Sequence, residues 1–416
     1  MTRHVVVIGA GAIGTISALE LLRAGHAVTL VDPGAAGGEQ AASYGNAGWL
    51  SVQSVLPPAE PGVWKKVPSY LADPLGPLSI RWSYFPRILP WLVKYLLSGW
   101  TPARVHETAR ALRLLLADAP QLHGMLAAEA GVGHLIEHNG TLHVYPSRAA
   151  FEADGFAWSV RRANGIAWQE LSGDALRAEE PALPARYGFA ALVPDAGRCL
   201  DPGAYIAALA ALAGQRGAVL HRASASGFRF EGERLAAVRT DVGEIPCDAA
   251  VVAAGIRSKP LAAALGDSLP LEAERGYHVT FEGAATGLRR SFMASDVKMV
   301  INPMAMGLRG AGQVEFAGVG AAPDWKRAGI LRDHLSRLFP DADASKAKVW
   351  VGDRPSMPDG RPCIGHARRC NAVVYAFGHG HVGLAGSART GRLVAQLIDG
   401  REPEIPVGPF APGRYL

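Results

Sequence analysis

The first apolar block, Val5-Val6-Val7-Ile8, is unbroken and β-branched, the pattern of a strand buried on both faces. Ile16, Leu19, Leu21 and Leu22 then recur at helical spacing between Thr15 and Ala24, and Gly25 follows as a left-handed helix cap. Val28-Thr29-Leu30-Val31 returns to the strand pattern, with Asp32 at its end. Buried strands of the same kind are predicted at Ala218 to Leu220, Leu235 to Thr240, Asp248 to Ala253 and Ala372 to Ala376. Helices are predicted at Ala204 to Arg216, begun by Asp201-Pro202-Gly203, and at Ala388 to Ile398.

The middle of the chain reads differently. Gly140 to Tyr145 and Phe189 to Val193 are separate strands. Glu274 to Phe281, Val297 to Asn302, Met304 to Arg309 and Gln313 to Gly318 form a run of short ones, which favours an antiparallel sheet. Helices are expected over 103–130, broken near Pro120, at Phe151 to Asn164 and at Leu331 to Phe339. Residues 56–80 are proline-rich and read as an irregular excursion, and Gly352 to Gly365 as a turn-rich stretch. In the aromatic segment from Trp82 to Trp100, Pro86 and Pro90 place the helix start near Pro90. That segment admits two readings: an interfacial membrane helix with an aromatic belt and basic residues, or a helix packed on the second domain. The second is preferred because a large core needs such helices.

A chain of 416 residues, 49% hydrophobic and 19% charged, can bury a large core and suits two globular domains. The net charge of +5 is not gathered into a basic run, which argues against nucleic acid as a partner. Cys199, Cys247, Cys363 and Cys370 show neither a CxxC pair nor metal-ligand spacing and are expected to be reduced thiols. The first strand begins so early that no leader is expected, and no apolar run reaches membrane-spanning length. A cytoplasmic protein, peripheral at most on the inner face of the membrane, is the expectation.

The chemistry begins at Gly9-Ala10-Gly11-Ala12-Ile13-Gly14, between the first strand and helix. Gly9 permits the tight turn, Gly11 the close approach of backbone to a pyrophosphate, and Gly14 the packing of helix on strand. The helix N-terminus offers unpaired N–H groups to phosphate, and Asp32 stands where a ribose diol would lie. With strand, helix and acid all in place, a dinucleotide site is expected at Gly9, Gly11, Ala12, Ile13, Gly14 and Asp32. The motif does not separate NAD from FAD. Small and hydrogen-bonding residues from Ser43 to Ser51 can lie flat against a planar ring. Ala254 and Gly255, at the end of a buried strand, suit close approach to a cofactor. His379 and His381 do not make a metal site, because no third ligand stands near them. The glycines around them suggest a helix N-terminus whose N–H groups face growing negative charge. Arg354, between Asp353 and Pro355, is presented by stiff backbone and can hold a carboxylate by two parallel bonds, with Arg309 and Tyr277 as further members of such a clamp.

Over essentially its whole length the chain resembles the FAD-dependent D-amino acid dehydrogenases, in the group that includes D-amino acid oxidase, glycine oxidase and sarcosine oxidase. The resemblance is carried by Val7 to Gly14, Asn46-Ala47-Gly48, Asn139 to Leu142, Glu180 to Leu183, Arg275-Gly276-Tyr277 and Gly307-Leu308-Arg309. At the C-terminal end it is carried by Asp353-Arg354-Pro355, Pro358-Asp359, and Gly378-His379-Gly380 with Gly383. It implies non-covalent FAD. Ser43, Asn46, Ala47 and Gly48 match the stretch along the isoalloxazine ring. Gly380, His381, Val382, Gly383 and Leu384 match the loop over its pyrimidine end. Arg354 matches the arginine for the substrate carboxylate and Tyr277 a pocket tyrosine. Trp49 departs from the family, where a polar residue often follows Asn-Ala-Gly.

The fold implied is α/β: a Rossmann-like FAD-binding domain (1–60, 196–268 and 352–416) with an inserted α+β substrate domain on an antiparallel sheet (61–195 and 269–351). The reaction implied is oxidative deamination of a D-amino acid, or a related secondary or cyclic amino acid. Hydride passes from Cα to flavin N5, the imino acid hydrolyses to a 2-oxo acid, and electrons go on to a quinone or other respiratory-chain carrier. An oxygen-using oxidase of the glycine or sarcosine oxidase type is the alternative within the class. A non-catalytic flavin-binding sensor or assembly protein is the alternative outside it.

Overall fold

The computed structural model describes residues 2–65, 76 and 78–415. β1 (His4–Ile8) leads through the glycine turn into α1 (Ala12–Arg23), and Gly25, at φ 84°, turns the chain into β2 (Ala27–Asp32). The helix begins at Ala12, earlier than Thr15, because its first turn follows from the extended cap at Gly11 rather than from apolar spacing. Of the excursion at 56–80, residues 66–75 and 77 lie outside the described residues.

α2 (Phe85–Ser98) starts one turn before Pro90. Pro86 sits in its first turn, where no N–H partner is needed, so the helix starts there and keeps Pro90 inside. Ile88 and Trp91 pack against Ile80 and Phe316 of the second sheet. The opposite face leaves Leu89, Val93 and Leu97 exposed at helical spacing, next to exposed Trp100, which stacks on Trp64. The 103–130 segment is two helices, α3 (Pro102–Leu116) and α4 (Ala119–Glu129), with Pro120 in the first turn of the latter. The expected helix at 151–164 is also two, Arg148–Ala153 and Gly155–Ala163.

β3 (Thr141–Tyr145), β4 (Phe189–Val193), α5 (Pro202–Gln215), β5 (Val219–Arg222) and β6 (Ala249–Val252) follow. A hairpin ribbon over 225–246 stands between the last two. Then come β7 (Glu272–Glu282), β8 (Phe292–Ala294), β9 (Met299–Met304), β10 (Gly307–Phe316) and α6 (Trp325–Leu338). The chain closes with β11 (Ala347–Ser356), β12 (Cys363–His366), β13 (Val373–Phe377) and α7 (Gly383–Asp399).

Two large sheets result. The first runs β5-β2-β1-β6-β13-β12, parallel except for β12. Its inner strands β1, β6 and β13 are buried and apolar on both faces, as in a parallel sheet covered on both sides, while the edge strand β5 is exposed; α1 and α7 pack on one face. The second has nine strands: β11-β7-β10-β9-β8-β3-β4 and Gln169–Ser172 in line, with Leu78–Ile80 beside β10. It is mainly antiparallel, with parallel pairings of β8 to β3 and of Leu78–Ile80 to β10.

Two expectations change here. Gly352 to Ser356 is not turn-rich: it is the end of the ten-residue strand β11, so Arg354 stands on a sheet, across the expected domain boundary at 352. Pro355 is tolerated because β11 is an edge strand: among the described residues its outer side meets only the bridge of Ser356 to His379. Of the short strands read at 304–318, Met304 closes β9 and the hairpin turn follows it, while Gly307 to Phe316 is one strand, β10, interrupted by a bulge at Gln313, which takes φ 60°.

Candidate active site

The carboxyl ends of the parallel strands meet at the glycine turn. Gly9 stands at φ 107°, and a Cβ there would strike the carbonyl oxygen of Ala253; one on Gly14 would strike that of Gly9. Gly11 is different: the nearest atom to its missing Cβ is Ser43 Oγ at 3.7 Å. Gly11 caps α1 without a side-chain acceptor, which leaves the first-turn N–H groups of Ala12, Ile13 and Gly14 for a ligand. Asp32 accepts from Ala10 N at 2.9 Å and Gly34 N at 2.8 Å, holding the loops on either side of the cleft while each oxygen keeps a further lone pair. Ala254 and Gly255, the latter at φ 56°, border the same turn. Ser43 Oγ is buried and has no hydrogen-bond partner among the described residues. An open glycine, uncapped helix amides and an orphaned hydroxyl are what a dinucleotide such as FAD would fit.

The segment after Ser43 is held from the second sheet. Arg309 donates to Asn46 O at 2.9 Å and Tyr44 O at 3.4 Å; His278 Nδ1 lies 3.1 Å from Gly45 O; Asn302 donates to Ala47 O at 2.8 Å. Four consecutive carbonyls are thus fixed by β7, β9 and β10. Trp350 stacks on His278 and occupies the space a side chain at Gly45 would need. Asn46 Oδ1 accepts from Gly48 N at 2.8 Å, and Gly48 turns at φ 76°. Burial, reinforced by Arg309, pushes the His278 imidazole down to about 3, so it is neutral and donates from Nδ1. Burial also lowers Arg309, to about 10, against the pull of Asp201.

Arg354 lies on the same face of the sheet, its guanidinium in the space above Gly276, where a Cβ would overlap it. Its hydrogen bond among the described residues is to Gln313 O, at 3.1 Å. The left-handed backbone at Gln313 aims that carbonyl, and Gln313 Oε1 is itself held by Arg327 at 2.8 Å. The guanidinium has five donors, so most remain for a ligand. Burial lowers its pKa and neighbouring Glu274 raises it.

Glu274 is paired directly with Arg354 across the ladder. Its carboxylate accepts from Ser356 Oγ and lies 3.4 Å from His381 Nε2. Burial would raise its pKa, but His381, Ser356 and Arg354 together draw it down to about 2. His381 and Val382 belong to a short 3-10 turn, Gly380–Val382, and α7 starts at Gly383, not at Ala388, so Gly383 and Leu384 form its first turn. His379 is buried, its Nε2 2.9 Å from Thr390 Oγ1, and a bridge to Ser356 ties this loop to β11.

Tyr277 stands apart. Alternation along β7 puts it on the opposite face from Glu274, Gly276 and His278, under α6. Its hydroxyl donates to Glu315 at 2.6 Å and accepts from Asp324 N at 2.9 Å. Arg309 is on the near face, with its guanidinium on the 44–46 carbonyls rather than beside that of Arg354. The structure thus brings Arg354 together with the glycine and histidine loops and adds Glu274, His278, Asn302, Trp350 and Ser356, none of which stood out in the sequence. Even spacing of Glu274, Gly276 and His278 in one strand was the available signal.

The family described as FAD dependent oxidoreductase matches residues 4–397. A D-amino-acid oxidase of Bradyrhizobium diazoefficiens is 65% identical over 418 residues, covering 100% of this chain and 99% of the relative. A D-amino acid dehydrogenase of Paramagnetospirillum magneticum is 35% identical, covering 96% of each. Among solved structures, glycine oxidase from Geobacillus kaustophilus superposes with a TM-score of 0.73 at 22% identity over 100% of both chains.

Proposed function

Since the chain belongs to the family of FAD-dependent oxidoreductases, we propose that it oxidises a D-amino acid, or a related secondary or cyclic amino acid, to an imino acid that hydrolyses to a 2-oxo acid. The observation that carries the reading is Arg354: a guanidinium with most donors unused, on the sheet face that also holds the 44–47 loop. FAD, when bound, supplies the acceptor for the hydride leaving Cα. Gly9, Gly11, Ala12, Ile13, Gly14, Asp32, Ala254 and Gly255 would hold its nucleotide half. Ser43, Asn46, Ala47, Gly48 and Gly380 to Leu384 would hold the ring. Arg354 fixes the substrate carboxylate and so aims Cα–H, and positioning supplies most of the rate. Arg309 serves by fixing the ring-facing backbone. Tyr277 acts behind the sheet, keeping the strand of Glu274 in place.

The domain division proposed is 1–60, 196–268 and 357–416 for FAD and 61–195 with 269–356 for substrate, moved from 352 to keep β11 whole. For the electrons, the name of the relative that is 65% identical favours oxygen. The quinone reading draws on the dehydrogenase relatives and on the exposed stripe of α2, which would rest on a membrane surface beside Lys65, Arg87 and Lys94. Among the described residues no helix is long and apolar enough to cross a membrane.

The test is anaerobic mixing of the purified flavoprotein with D-, L-, N-methyl and cyclic amino acids. Bleaching of the flavin band by one of these is expected. A flavoprotein that none of them bleaches would be the sensor or assembly protein instead. Peroxide formed under air marks oxygen as acceptor, and bleaching without peroxide marks a carrier.

A further inference from the structure

Glu274 and Arg354 are opposite charges on directly paired residues of one sheet face, yet among the described residues no ion pair joins them. Directly opposed residues of an antiparallel pair have Cα atoms only about 4.5–5.5 Å apart. A buried pair serving stability alone would close on itself, because an uncompensated buried charge is costly. Here each partner turns elsewhere and keeps hydrogen-bonding capacity. Among the described residues Arg354 donates to Gln313 O alone, and the oxygens of Glu274 are unequal: Oε2 meets Ser356 and His381, while Oε1 has no hydrogen bond there.

Two unclosed charges of opposite sign, side by side on one face, complement a zwitterion. We propose that Glu274 receives the substrate's amino group at Oε1 while Arg354 holds its carboxylate, so that the pair reads an α-amino acid by both poles. The inference rests on the amino-acid reading above and deepens it. Ser356 and His381 are positioning residues, fixing Oε2 so that Oε1 points away from them. The low pKa of the carboxylate, about 2, keeps it charged wherever an amino acid is a zwitterion.

The experiment uses the FAD-loaded enzyme, the best amino acid from the anaerobic screen, and the deaminated carboxylic acid of the same skeleton. In Glu274→Gln the dissociation constant of the amino acid, read from flavin reduction, should rise about 10- to 100-fold, as loss of a charge-assisted bond implies. The inhibition constant of the deaminated acid should stay the same or tighten, since it has no amine to lose and one repelling carboxylate fewer. Equal weakening of both ligands means that Glu274 only shapes the pocket, and an unchanged amino acid constant means that the amine is held elsewhere. Either result overturns the proposal. Should Glu274→Gln fail to fold, Glu274→Asp keeps the charge and draws it back, and the same split, smaller, is expected. A screen that yields no bleaching amino acid instead removes the underlying reading.

Discussion

Around Arg354, the two faces of β7 and β11 treat charge in opposite ways. Behind the sheet, Arg275 meets Asp353 at 3.2 Å and Glu315 at 3.6 Å, Arg81 meets Glu315 at 2.7 Å, and Tyr277 completes the set at 2.6 Å. Every charge there has a partner, and the network is closed. On the near face, one residue along, Arg354 and Glu274 do not meet, and Arg309 and His278 reach out to the loop backbone that follows the first sheet. A closed network makes the strand rigid; an open one makes it receptive. The alternation of a strand lets a single segment do both.

The comparison is broken most directly by Arg354→Ala. On the near face a lost charged partner should cost roughly 2–5 kcal/mol in substrate binding and flavin reduction together, with FAD retained. Stopped-flow reduction of the best amino acid measures it, and an amine without a carboxylate should be hardly affected. Reduction at the wild-type rate would move the carboxylate to another residue. Tyr277→Phe probes the far face. It removes a bond to a carboxylate and should cost about 1.5–3 kcal/mol of folding stability by denaturant titration, with the substrate constant unmoved. A substrate effect larger than the stability effect would return Tyr277 to the pocket.

The smallest effect concerns pH. The imidazole of His278, at about 3, lies below its ordinary 6.5. The folded state therefore binds fewer protons than the unfolded chain between these values. The stability tied to the neutral ring is whole above 6.5 and falls as pH drops toward 3. Protonation beside Arg309 also adds like charge where the 44–47 loop is held. His278→Asn should flatten the slope of stability against pH between 6.5 and 4, relative to wild type. Parallel slopes would locate the acid sensitivity in His123, His143 and His379, which burial lowers in the same way.

How legible each region was follows from how it is built. The glycine turn and Asp32 form a site out of backbone within thirty residues, and backbone requirements leave fixed residue types at fixed spacing. The substrate side is built from side chains on strands far apart in sequence, and no local spacing records that Glu274 faces Arg354. β7 is also buried on both faces over Glu272 to Phe281, so the even spacing of Glu274, Gly276 and His278 does not by itself say which face lines a site. The register of β11 was hidden by Gly352 and Pro355, which signal a turn in isolation and are harmless on an edge strand. The single strand β10 looked like separate pieces because its bulge falls where a turn would.

The grip on the carbonyls of residues 44–47 has a mechanical consequence. Those carbonyls lie in the chain that follows the first sheet, while the groups holding them, Arg309, His278 and Asn302, stand on the second. Rotating one sheet against the other would break several such bonds at once, a penalty of a few kcal/mol at roughly 0.5–1.5 kcal/mol each. The two halves are therefore expected to behave as a braced frame rather than a clamshell. Ligand traffic in a braced frame falls to local movements of loops and side chains rather than to a hinge between the sheets.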